Sequence, residues 1–141
     1  MNRVSLVLTA GLAAFVALAS LVAAQEKQEK KPAPVTITGT LVDTKCYAMD
    51  SENFTNDHGD IKACGTACAN MSIPVGIVKD GKKGDPAVIL LAPSKSFADH
   101  VGRTVRATGT YVWKNAAFLP EKAEYRDDKG NWSEIKIKTM M

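Results

Sequence analysis

The sequence predicts a mainly β domain closed into a small barrel, and three observations carry that prediction. In residues 35–42, Val35, Ile37, Gly39 and Leu41 alternate with Thr36, Thr38, Thr40 and Val42, the period of two of a half-buried strand. Residues 103–113 alternate again, with Val105, Ala107, Gly109, Tyr111 and Trp113 on one side. Between them lie two short apolar runs, IPVGIV (73–78) and AVILLA (87–92). Lys79-Asp80-Gly81 and Gly84-Asp85-Pro86 separate these runs as turns between paired strands.

In chain order, residues 1–24 come first and read as a secretory signal peptide: Arg3, an apolar stretch over 4–22, then Val22-Ala23-Ala24 before Gln25 as a cleavage site. An uncleaved anchor is the alternative, since roughly 20 apolar residues span a bilayer, but the alanines and the small residues at its end favour cleavage. Residues 25–34 (QEKQEKKPAP) have nothing to bury and read as a flexible tether, leaving 35–141 as one domain. The expected location is periplasmic or secreted, with no membrane contact after cleavage.

The first strand is followed by a long excursion. Residues 50–60 are polar and turn-rich, and 61–71 (IKACGTACANM) read as a short helix capped by Asp60 and weakened by Gly65. After the paired strands, Ser96 and Asp99 have capping-box spacing, Phe97 and Val101 share a helical face, and Gly102 stops that helix. The strand at 103–113 turns at Lys114-Asn115 into a return strand at 116–125. A last strand covers 132–138, with Ile135 and Ile137 facing in. A barrel of five to six strands, with a short helix between strands 3 and 4 and a helical excursion after strand 1, matches the OB-like order. Another small mixed or all-β barrel is the alternative. Gly102-x-x-Val105-x-x-x-Gly109 supports the OB-like one, because Gly109 lets a strongly coiled strand bend.

The net charge of +3 is dispersed among interleaved acids and bases, which argues against a nucleic-acid partner. A partner protein or a small ligand is left open. Neither a Gly-x-Ser-x-Gly elbow nor a phosphate-binding glycine loop occurs, and no catalytic constellation is found.

Chemistry concentrates in Cys46, His58, Cys64 and Cys68. Cys64 and Cys68, four apart, share a helical face with Met71 on the adjoining turn, and the strand end carrying Cys46 can fold back onto them. Three thiols and an imidazole make a tetrahedral set for zinc, and the same soft ligands suit Cu(I). Asp57 and Asp60 flank His58 as candidates to orient its ring. Two other uses compete with metal. A disulfide from Cys46 to Cys64 or Cys68 would pin the excursion to the barrel, contributing about 2 to 4 kcal/mol and leaving one buried thiol. Thiol redox chemistry is the third, without the Cys-x-x-Cys spacing that lowers a thiol pKa.

The run Gly39-x-x-x-Asp43-x-x-Cys46-Tyr47, then His58, then Cys64-Gly65-Thr66-Ala67-Cys68-Ala69 and Ile73-Pro74-Val75-Gly76, resembles a group of small exported bacterial OB-like proteins of uncharacterised function. The resemblance covers roughly residues 35–112. This chain departs from the pattern at Ser72, where a glycine is usual, and in the three residues between Cys64 and Cys68. The resemblance implies export, the barrel, and that the four Cys and His residues belong together. Elsewhere, His100 reads as structural, and Tyr111, Trp113 and Phe118 as core aromatics before they read as a binding patch.

Overall fold

Period-two patterning resolves into six strands in a computed structural model that describes residues 32–138. The leader at 1–24 and tether residues 25–31 lie outside the described residues; residues 32–34 are exposed and without regular structure. The elements are β1 (Val35–Asp43), α1 (Thr44–Met49), α2 (Cys64–Asn70), β2 (Val75–Lys79), β3 (Val88–Leu90), β4 (Thr104–Val112), β5 (Ala117–Arg126) and β6 (Trp132–Ile135). Two 3-10 turns, Ser94–Ser96 and Ala98–His100, connect β3 to β4.

β1 is shared between two neighbours. Its first part, from Val35 to Thr40, pairs antiparallel with β4, and its second, from Gly39 to Asp43, pairs antiparallel with β2. β2 pairs with β3 and β4 with β5, both antiparallel, and β3 runs parallel to β5 through Ile89↔Ala117 and Leu90↔Phe118. That parallel contact closes a five-stranded barrel of OB-like topology, with β6 added outside the ring on β5. Bending the long strands needs backbone to approach backbone. A Cβ at Gly39 would overlap the Val78 carbonyl oxygen, and one at Gly109 the Leu119 carbonyl oxygen; the β4–β5 register shifts at Thr108/Gly109.

The enclosed core contains Leu41, Ile77, Val75, Val105, Phe97, Phe118 and Ile135, all essentially inaccessible to solvent. Phe97 enters from between the 3-10 turns. The expected α-helix between strands 3 and 4 takes this shorter form because the segment is held between Pro93 and Gly102, whose φ is +85°, with too few residues to repay helix nucleation. The Ser96–Asp99 capping box does not form; Ser96 Oγ instead accepts from the Lys138 amide, 3.0 Å away. The last strand accordingly ends at Ile135, with Ile137 still packed on the core. Across β4 and β5, Arg106 and Glu124 stand opposite each other and make two hydrogen bonds, of 2.7 and 3.0 Å, under the Trp132 ring.

The Arg106 guanidinium holds the Glu124 carboxyl below its usual pKa. A carboxyl whose folded pKa is depressed contributes stability above its unfolded pKa, about 4.3, and loses that contribution as pH falls through the folded value. Glu124→Gln is therefore expected to lower the denaturant midpoint at pH 7, with the gap to wild type shrinking as pH falls below about 4. A gap unchanged across that range would remove the pair from the account.

Candidate metal centre

β1 ends at Asp43, a carboxylate buried inside the fold, and α1 begins immediately after it. Asp43 is the N-cap of α1: its Oδ1 accepts from the Cys46 amide at 2.8 Å. The sequence placed Cys46 loosely after a strand; the cap fixes it in the first turn of a six-residue helix. The Thr44 amide and hydroxyl both donate to the Pro74 carbonyl, at 3.0 and 2.8 Å, tying the start of α1 to the chain leaving α2.

α2 is shorter than the expected 61–71 helix and is capped by other residues than Asp60. Ala63 precedes it in the left-handed region, φ 51°, and its amide donates to Asp57 Oδ1 at 2.8 Å. The next free amides go to Asn56: Gly65 N to its carbonyl oxygen at 2.9 Å and Thr66 N to its Oδ1 at 2.7 Å. Orphan donors of the first helical turn are thereby satisfied from the preceding loop. Asp57 also pairs with Lys62 Nζ at 2.9 Å, so it holds the helix entry and does not serve the His58 ring. Asp60 is exposed in the turn between His58 and Ile61.

Gly65, which weakens the helix on propensity, has a packing role. A Cβ there would lie 2.5 Å from Val101 Cγ1, 3.0 Å from Asn56 Oδ1 and 3.3 Å from Asp43 Oδ2. The bare backbone lets α2 settle onto the barrel end beside Asp43. Cys64 then faces Cys46 with 3.8 Å between the Sγ atoms, and Cys68 follows one turn later, 5% exposed. All three sulfurs lie within 4.8 Å of one another. A disulfide requires about 2.05 Å, and all three cysteines are free.

His58 stands apart from this group. It pairs its backbone with Ile61, His58 N to Ile61 O at 2.9 Å and Ile61 N to His58 O at 3.0 Å, and the chain reverses at Gly59. Among the described residues the set of mutually close donor atoms is the three thiols alone, and His58 Nδ1 is buried without a hydrogen-bond partner. The expected tetrahedral set is thus three sulfurs, with the imidazole outside it.

Burial pushes the Cys46 thiol up to about 12, with the hydrogen bond to Cys64 and the Asp43 charge acting in the same direction. Cys68 is raised as well, by burial first and by Asp43 second. A nucleophilic cysteine needs the opposite environment, one that stabilises the thiolate, so neither Cys46 nor Cys68 is set up as an exchange nucleophile. Asp43 is the member of the site that sequence reasoning missed. Its signal was the Asp-x-x-Cys spacing, which places an N-cap carboxylate three residues before the amide it receives.

His100 stacks on Tyr125 at 4.2 Å, and burial holds its imidazole below the usual pKa, in keeping with a structural role. The three aromatics separate: Phe118 is core, Tyr111 meets it edge-on at 5.1 Å, and Trp113 is 76% exposed on the β4–β5 hairpin. Among the described residues no helix is long and apolar enough to cross a membrane. No protein-family model, curated protein or solved structure matches the chain.

Gly65→Ala is expected to destabilise the protein by about 1 to 3 kcal/mol, as overpacking does, against the roughly 1 kcal/mol that helix propensity alone would return. Denaturant unfolding measures the sign. Stabilisation would contradict the close approach of α2 to Val101 and Asp43.

Proposed function

We propose that the chain is an exported, non-catalytic domain that binds one soft metal ion, Zn(II) or Cu(I), through Cys46, Cys64 and Cys68. The supporting observation is the spacing of the sulfurs. Two thiolates each about 2.3 Å from one tetrahedral ion are about 3.8 Å apart, and Cys46 and Cys64 Sγ stand at 3.8 Å. The backbone around them is fixed by the Asp43 cap, the Asn56 cap and the approach at Gly65, so little ordering is left for the ion to impose. Three protein ligands leave one position for a small ligand or for a donor from a partner protein.

The metal competes with protons for the sulfurs. With two of the thiols protonated well above neutral pH, binding releases protons, and affinity falls as the solution is acidified. The mature protein prepared without chelator is expected to carry one ion per chain, and Cys64→Ser to carry none while keeping the circular dichroism of the wild type. Unchanged metal content in that variant would overturn the assignment.

A second reading rests on the exposure of the same residues. Cys46 and Cys64 are the close, half-buried pair and Cys68 is the buried one. Oxidation in an exported compartment would join the first two and leave the third as an inert thiol, making the module a disulfide-stapled partner-binding or envelope-structural domain. Its expectation is a protein without metal in which only one cysteine reacts with an alkylating agent after denaturation.

A further inference from the structure

We infer that the ion is monovalent copper, and that it reaches the three thiols by way of two thioethers, Met49 and Met71. This rests on the metal-binding reading above and narrows it.

The donor set favours copper by number and by softness. Among the described residues, the mutually close donor group is three sulfurs, and the neighbouring Asp43 carboxylate is engaged as the N-cap of α1, its Oδ1 accepting from the Cys46 amide. Structural zinc takes four protein ligands and catalytic zinc keeps an imidazole or carboxylate in most of its sites, whereas soft thiolate and thioether donors select Cu(I). Three thiolates satisfy a trigonal Cu(I) without the missing fourth ligand.

The two methionines supply an independent observation. Met49 follows Cys46 by three residues at the end of α1, and Met71 follows Cys68 by three at the C-cap of α2. Positions three apart on a helix are surface neighbours, with Cβ atoms about 5 to 6 Å apart. Helical spacing thus puts each methionine about one turn along the chain from a cluster cysteine. Both are largely solvent-exposed, at 73% and 68%, where an apolar side chain of this length contributes almost nothing to packing. The resulting order is exposed thioethers, then the half-buried Cys46 and Cys64, then the buried Cys68. A thioether is a soft, uncharged donor, so at the exposed rim it offers Cu(I) a first ligand outside the half-buried thiols, and it is a poor ligand for Zn(II).

The test uses the purified, reduced protein under anaerobic conditions. Cu(I) is delivered from a chromogenic Cu(I) chelator, followed by excess Zn(II), with X-ray absorption at the copper edge and stopped-flow uptake as readouts. The expected result is one Cu(I) per chain in an all-sulfur, three-coordinate shell that excess zinc does not displace. The Met49→Leu/Met71→Leu double variant, similar in volume, is expected to reach the same occupancy several-fold more slowly. Displacement by zinc, or nitrogen in the shell, would overturn the copper assignment and leave the three-thiol metal site standing. Uptake by the double variant at the wild-type rate would overturn the thioether route. Failure of the reduced protein to bind either ion would sink the metal-binding reading itself.

Discussion

How closely α2 can approach the end of β1 determines whether three cysteines from two helices meet, and Gly65 sets that distance. At this position Val101, Asn56 and Asp43 converge on one backbone site that has no room for a side chain. The cost is a glycine in the first turn of a short helix, on the order of 1 kcal/mol. It is offset by hydrogen bonds that only this approach permits, from Gly65 N and Thr66 N to Asn56 and from Thr66 Oγ1 to the Ala98 carbonyl at 2.9 Å. Asp43 does the corresponding work on the other side, holding Cys46 by its amide. The thiol cluster is therefore a consequence of two helix starts built against one barrel end.

The barrel makes that end rigid. β1 is paired on both edges, the parallel β3–β5 contact closes the ring, and Phe97 fills the interior from the 3-10 connection. Because Thr66 is bonded to that same connection at Ala98, and Thr44 to Pro74 at the entry to β2, both cysteine-bearing helices are anchored to closed sheet. Sites supported in this way hold their ligands in place before an ion arrives, which is the condition for a preorganised centre.

The strands were legible in the sequence because a period of two persists over β1 and β4 and because turn residues bracket β2 and β3. The barrel order followed from their succession. What the sequence did not reveal belongs to segments too short to show a period. α1 has six residues, and its only mark was the Asp43-to-Cys46 spacing. The connection carrying Phe97 has helical patterning but lacks the length to form an α-helix, so its polar groups find other partners, Ser96 with Lys138 among them. The cysteines were legible as a cluster because cysteine is rare in this chain and its spacing on α2 puts two of them on one face. His58 lies outside the close donor group for a related reason. Six residues from Cys64 along the chain is close, but the reversal at Gly59 and the pairing with Ile61 fix its backbone in a separate turn.

The central claim is that these three sulfurs hold an ion in place of a bond between two of them. Intact mass of the protein, recorded natively and after denaturation without chelator or reductant, tests it most directly. The account predicts a native mass that exceeds that of the chain by one metal ion, lost on denaturation, with three thiols then open to alkylation. A native protein without excess mass, two hydrogens lighter than the reduced chain and offering a single thiol, would contradict it.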